Sequence, residues 1–355
     1  MRRFYIDNIR ILCIFLLFPF HTAMIFNSFG EKFYVHVADC LAASLLNIST
    51  YNWWMSGLFV LAGMSTMYAL SYKGAKGYIK ERCQKLLIPF LTGAILIIPV
   101  QTYIADIFWN GYKGNYFAHY AEYFNLTDWS GYDGHYTPGH TWFMLYLFVF
   151  AVVTFPLVVW YQKKEKKLTE SKMRIGFVVL LCVLPLLLQP VLDVGGKSIS
   201  EFLAWYLLGF FIFSMDKVQD DLEKYRLVSA IIWLVVVITR CVVFTMDIQN
   251  IDWFWDISTV IHAISGIFTM IGMGKHYLNK KTAFTAYFAP AAFPLYLFHQ
   301  SIVVIIGFFV VKSVTNSLPA FLIITLSSFV ATVALYEITK RFAVTRFLFG
   351  IKKPK

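Results

Sequence analysis

Ten apolar runs, each long enough to cross a bilayer as a helix, leave this chain few folds to choose from. Crossing hydrocarbon about 30 Å thick takes about 20 mostly apolar residues in a helix. Inside lipid the backbone must satisfy its own hydrogen bonds, which selects helices or closed barrels. The runs lie roughly at 9–28, 52–72, 86–108, 140–161, 174–192, 199–215, 226–246, 257–274, 286–311 and 318–339, the sixth having the shortest strongly apolar part. They predict an all-α, polytopic integral membrane bundle of about ten transmembrane helices. Hydrophobic residues make up 59% of the chain and charged residues only 14%. A soluble domain carries about 25% charged residues, so a soluble globule is excluded. No internal repeat or soluble domain is visible, and 1–355 reads as a single membrane-embedded domain.

Charge fixes the expected orientation. Basic residues gather at Arg2 and Arg3, in the loops 73–85, 162–174, 216–226 and 275–285, and in the tail from Lys340 onward. The intervening loops carry only Lys32, Lys113, Lys197 and Lys312, and 247–256 is purely acidic (Asp247, Asp252, Asp256). The excess of Lys and Arg on one side predicts that both termini are cytoplasmic. The net charge of +11 therefore reflects topology. A nucleic-acid partner would need a basic face on a soluble domain, and none is expected. Membrane lipid is the expected surrounding. Trp53, Trp54, Trp109, Trp129, Trp142, Trp253 and Trp255 all fall at outer ends of runs or in outer loops, where amphipathic rings settle. The outer loop 109–139 is rich in Gly, Tyr and Asn and long for a connector. It reads either as a surface that binds a glycan acceptor or as an ordered loop lying on the bundle.

The five cysteines (Cys13, Cys40, Cys83, Cys182, Cys241) are scattered without a CxxC pair, so no disulfide framework and no metal site is expected. Met1-Arg2-Arg3 leads into the first run without a small-residue cleavage site, which makes that run a span.

Ionisable residues inside the runs are the candidate chemistry. Arg10, with Asp7 one turn before it, stands eleven positions ahead of His21, roughly 16 Å along a helix. If Arg10 lies at the cytoplasmic face, His21 is near the midplane, either as a hydrogen-bonded core residue or as a functional group. His299, followed by Gln300, interrupts the ninth run and His262 the eighth. Arg240 lies toward the outer end of the seventh, snorkelling or facing inward. His140 opens the fourth run from outside. Arg82 and Lys85 open the third, as a basic mouth for phosphates or as simple cytoplasmic anchors. A buried neutral imidazole can act as general base or accept an acyl group. Proton relays in transporters use the same residue types. No serine nucleophile elbow, phosphate-cradling glycine loop or HExxH motif occurs.

Five elements occur in order: Arg10-x10-His21, Ser56-Gly-Leu-Phe-Val-Leu-Ala-Gly63, Arg82-x-x-Lys-Leu-Leu-Ile-Pro-Phe90, Gly139-His-Thr-Trp-Phe143 and Phe293-Pro-Leu-Tyr-Leu-Phe-His-Gln300. The set resembles the acyltransferase 3 family, integral-membrane enzymes of about ten spans that O-acylate extracytoplasmic carbohydrates. It is most similar to the branch that succinylates periplasmic glucans. The departures are Lys85 at the third-run motif's second basic position and a Ser-Gly element displaced toward Ala62-Gly63. The resemblance implies a multi-pass protein of a cell membrane, most simply a bacterial plasma membrane. It implies an acyl-CoA donor, acetyl-CoA or succinyl-CoA, with its phosphates near Arg10, Arg82 and Lys85. His21 would be general base or transient acyl acceptor, and His299 would orient it or bind substrate. The glycan acceptor would enter past the 109–139 loop, His140 and Trp142, with Arg240 a further substrate contact. The rival from another class is a proton-coupled transporter or flippase. It predicts matched breaks in two halves, which Pro19, Pro156, Pro185, Pro190 and Pro294 do not form. A third reading is an inactive bundle that has kept only the packing.

Overall fold

A computed structural model describes residues 3–37, 40–127, 129–163 and 173–352. Arg2, Lys164, Lys166, Lys167, Lys172, Lys353 and Lys355 of the charge pattern lie outside the described residues, as do the side chains of Lys73 and Lys76. Among the described residues the fold is all-α. The helices are α1 (Phe4–Ile25), α2 (Leu41–Thr50), α3 (Trp53–Arg82), α4 (Ile88–Leu96), α5 (Ile98–Ala105), α6 (Tyr116–Glu122), α7 (Trp142–Val153) and α8 (Phe155–Lys163). They continue with α9 (Ile175–Leu187), α10 (Ile199–Leu208), α11 (Asp216–Lys224), α12 (Arg226–Thr245), α13 (Asp252–Tyr277), α14 (Ala283–Ser313), α15 (Ser317–Thr339) and α16 (Ala343–Leu348).

Among the described residues, six helical stretches are long and apolar enough to cross a membrane: α1, 77–110, α12, α13, α14 and α15. Two bent pairs raise the number to as many as eight if each is one span. Gly139–Val153 and Phe155–Lys163 meet at 49°, where Pro156 denies the helix an amide hydrogen bond. Ile199–Phe213 and Asp216–Lys224 meet at 96°, so the short sixth run ends in a sharp turn. Of the ten expected runs, 52–72 lies in α3, whose apolar residues are diluted by Ser56, Gly57, Gly63, Ser65 and Thr66. The run 174–192 yields only the 13-residue α9.

The chain divides into two compact units. Unit 1 comprises the residues up to Cys13, Ile48–Arg82 and Tyr146–Ala289. Its core is aromatic: Phe59 stacks on Phe202 at 4.7 Å between ring centroids, and Trp205, Tyr206 and Phe210 are fully buried. Two glycines let backbones meet there. A Cβ on Gly63 would lie 2.0 Å from the Tyr206 carbonyl oxygen, and one on Gly209 2.2 Å from that of Val60. Small residues at helix contacts are the usual device where lipid supplies no hydrophobic drive between helices. Unit 2 comprises Ile14–Asn47, Cys83–Leu145 and the chain from Pro290 onward. Its interior brings Phe15 and Phe18 edge-on to Phe329 at 5.1 and 5.3 Å. Gly93 of α4 faces Leu297 of α14 and Thr141.

Candidate functional site

Three elements of unit 2 each deliver one histidine to the same place. His21 comes from α1, two residues after Pro19. His299 comes from α14, one turn after Pro294. His140 comes from the tight turn Gly139–Thr141, which begins at Gly139 with φ 47°. That turn is pinned by the Thr141 hydroxyl donating to the Pro138 carbonyl at 2.6 Å. The His21 and His299 rings are 5.1 Å apart, and those of His140 and His299 also 5.1 Å. Phe33 stacks on His21 at 5.9 Å, Phe20 meets it edge-on, and Phe18 meets His299 edge-on.

Hydrogen bonds decide which nitrogens carry protons, because a carbonyl oxygen only accepts. His140 Nε2–H donates to the Leu297 carbonyl at 2.9 Å, so its Nδ1 is the acceptor, and Gln101 Nε2 lies 3.3 Å from it. His299 Nδ1–H donates to the Tyr296 carbonyl at 2.5 Å, which leaves Nε2 with a lone pair. That Nε2 is buried and has no hydrogen-bond partner, and neither has His21 Nδ1. Buried polar atoms are nearly always satisfied, so two orphan imidazole nitrogens on neighbouring rings make this group the candidate site. His299 is fully buried, whereas His21 is of intermediate exposure although its Nδ1 is buried.

A polar relay holds this arrangement. Gln101 Nε2 also donates to Ser301 Oγ at 2.6 Å, and its Oε1 accepts from Gln300 Nε2 at 3.1 Å. Ser301 Oγ in turn donates to the Ile97 carbonyl at 3.1 Å. The Tyr296 hydroxyl donates to the His140 carbonyl. Sequence reasoning found the histidines and Gln300 but missed Gln101, Ser301 and Tyr296. Gln101 had a usable signal, an amide inside an apolar run just after Pro99.

Among the described residues, no group of three or more His, Cys, Asp or Glu is placed to hold a metal ion. Residues 3–337 match the acyltransferase domain of the acyltransferase 3 family. The chain belongs to that family. It is 23% identical to glucans biosynthesis protein C of Salmonella schwarzengrund (strain CVM19633), over 99% of this chain and 96% of that protein. Glucans biosynthesis protein C of Salmonella typhi is 22% identical over the same shares, and that of Salmonella paratyphi B 23%. No solved structure matches the chain. The protein is thus an acyltransferase 3 family member, a multi-pass membrane acyltransferase with bacterial relatives.

The family member's other candidate residues have separate settings. Arg10, in unit 1, pairs with Asp7 at 3.3 Å and donates to Ser65 Oγ at 2.9 Å. Arg82, also in unit 1, lies 4.7 Å over the Tyr78 ring, with its Nε buried and unpartnered. Lys85 sits on the wide turn Cys83–Leu87 of unit 2. Trp142 opens α7, with its ring 6.3 Å from that of Phe143. Arg240 and His262 belong to unit 1, whereas the three grouped histidines belong to unit 2.

In its described residues the 109–139 loop carries α6, capped by the Asn115 side chain accepting from the Ala118 amide. It is tied to the segment beneath His21: Trp109 Nε1 donates to the Phe33 carbonyl at 2.8 Å, and the Tyr132 hydroxyl to that of Lys32 at 2.7 Å. His119 is buried with both ring nitrogens unpartnered, 3.7 Å from Asp106. Burial pushes its pKa down, and Asp106 opposes that only in part. Phe117, Phe124 and Trp129 remain exposed, so the loop both packs on the unit and presents aromatic rings outward.

Proposed function

We propose that this acyltransferase moves an acetyl or succinyl group from cytoplasmic acyl-CoA to a hydroxyl of an extracytoplasmic glycan. The observation that carries the reading is the His21–His299 pair with its two unpartnered nitrogens. In the direct form, His21 takes the proton of the acceptor hydroxyl and the oxygen attacks the thioester carbonyl. The C–S bond breaks, and the departing CoA thiolate takes up the proton from the imidazolium. In the two-step form, a His21 nitrogen attacks first, CoA leaves, and the glycan hydroxyl then cleaves the acyl-imidazole. His299, whose ring lies 5.1 Å from that of His21, is the proposed group that orients His21 or binds substrate in either form. The relatives' name, glucans biosynthesis protein C, supports a glycan acceptor. The exposed rings of the 109–139 loop, with His140 and Trp142, are its proposed path. Arg10 and Arg82 are the proposed contacts for the donor's phosphates, and Lys85 is a third candidate from its motif. The positive-inside pattern supports cytoplasmic termini on the donor's side. Family membership favours group transfer over proton-coupled transport.

The test titrates acetyl-CoA and succinyl-CoA into solubilised protein, following thermal stability and acyl transfer to a glucan. A ligand selective for the folded state raises stability by mass action. The expected result is a saturable shift with one donor that Arg10→Ala weakens. His21→Ala should keep the shift and lose transfer. Full transfer by His21→Ala would overturn the mechanism, and no shift with either donor would overturn donor use.

A further inference from the structure

Arg240 of α12 is only 6% exposed, yet among the described residues no carboxylate lies within ion-pair distance of it. Its contacts are all neutral. Nη1 donates to Ser258 Oγ at 2.7 Å and to Thr259 Oγ1 at 3.1 Å, both on α13. The guanidinium carbon lies 4.9 Å over the Trp255 ring. Those contacts pin α12 to α13 and use one end of the group. The other edge is nearly empty: Nη2 reaches only Asn52 Oδ1 at 3.5 Å, and Nε is buried without a partner. The Nε–Nη2 edge is the side of a guanidinium that takes two oxygens of a carboxylate or phosphate in parallel. A buried cation with its bidentate edge unpaired lacks the counter-charge that burial requires.

We infer that Arg240, with Asn52, Ser258 and Thr259, forms an oxyanion-binding site within unit 1. It would take a singly charged carboxylate or phosphodiester on the Nε–Nη2 edge. A cleft of about 210 Å³ lies at the junction of α12 and α13, lined in part by Val243, Phe244, Asp247, Asp252 and Trp255. Trp255 belongs both to that cleft and to the stack on Arg240, so the cleft adjoins the ring that covers the guanidinium. Asp247 and Asp252 in the cleft repel anions in proportion to their charge, which weighs against a polyanion more than against a singly charged group. Lipid-facing residues of α12 such as Ile231, Val235 and Ile238 are exposed, so a lipid headgroup and a small soluble anion are the two sources of such a group.

The experiment follows thermal stability rather than acyl transfer, so its outcome is independent of the proposed reaction. Acetate is titrated to millimolar concentration at constant ionic strength against chloride. In parallel, nanodiscs of phosphatidylcholine are compared with discs containing phosphatidylglycerol. Wild type should show a saturable rise with acetate or a rise with phosphatidylglycerol, and whichever acts identifies the source. Arg240→Lys keeps the charge but loses the fork, and should weaken the response about tenfold. Asn52→Asp puts a carboxylate on the chain at the empty edge, and should raise stability and abolish the response. Asn52 holds a positive φ of 24°, which aspartate also tolerates. The proposal is overturned if neither anion stabilises wild type. It is equally overturned if Asn52→Asp responds as wild type does.

Discussion

Unit 2 groups three imidazoles, of which His140 and His299 direct an N–H to a backbone carbonyl; what remains unused there is the lone pair of His299 Nε2 and, on the neighbouring ring, His21 Nδ1. Unit 1 buries a guanidinium whose neighbours are hydroxyls and an amide oxygen, so that what remains unused is an N–H edge. The two regions have opposite unmet needs. The first can take a proton or an acyl carbon, and the second can take only an anion. In a bundle where an unsatisfied polar group is costly, the sign of the unmet need is the most direct reading of what each region is for.

The largest expected effect breaks the first half of that contrast. His21→Ala should lower kcat for acyl transfer by about 100-fold to 10,000-fold, the range for losing a general base, with donor binding retained. If His299 acts on His21 rather than on ground-state binding, His299→Gln should cost about 10-fold to 100-fold in kcat with KM nearly unchanged. If KM rises and kcat does not, His299 is a substrate contact instead. Gln101→Leu sharpens the point. It leaves His140 Nδ1 and Gln300 Nε2 without their partner and removes the donor to Ser301, and each orphaned buried group costs about 1–3 kcal/mol. A drop in unfolding temperature together with lost activity is expected. Lost activity at unchanged stability would mean that Gln101 touches substrate.

Much of this was legible beforehand, and the divide has a physical cause. Apolar runs and the basic loops report on solvent, and solvent is read residue by residue; hence the all-α membrane class could be read from sequence. Arg10, His21 and His299 stood out because an ionisable group in an apolar run is rare. Gln101 and Ser301 did not, because a single neutral polar residue in a span is unremarkable until its partner, about 200 positions away, is seen. The span count was the weakest reading. Hydropathy does not register the 96° turn after Phe213, nor the shortness of α9. Arg240 was left open between snorkelling and facing inward; only the contacts to Ser258 and Thr259 resolve it as inward.

Stability alone should respond at the glycine contact of unit 1. Gly63→Ala would drive a methyl into the Tyr206 carbonyl, with the Phe210 amide nitrogen only 2.7 Å from it. Backbone cannot yield as a side chain does, so a loss of about 1–3 kcal/mol is expected, seen as a lower unfolding midpoint. Because this contact belongs to unit 1 and the histidines to unit 2, kcat of the folded fraction should be unchanged. A specific loss of kcat would show that the two units are functionally coupled.

The smallest effect is expected in the outer loop, where an acid is held by ordinary means. Burial would raise the Asp133 pKa, but the Thr127 hydroxyl at 2.5 Å and the His135 ring and amide at 2.9 and 3.0 Å outweigh it and hold the carboxyl below its usual range. A depressed folded-state pKa stabilises the loop above the unfolded-state value, and that contribution disappears as pH falls through the folded one. Wild type should therefore lose local stability on acidification below the ordinary carboxylate range, and Asp133→Asn should lose less over the same interval. Amide hydrogen exchange across 127–137 reads this directly. Because the group is mostly solvated, the difference should be small and should shrink with added salt. An equal acid response in both proteins would assign the loop's pH sensitivity to His119. A His pKa depressed by burial withdraws stability as pH falls through the ordinary histidine range, so the exchange profile would move to that higher interval.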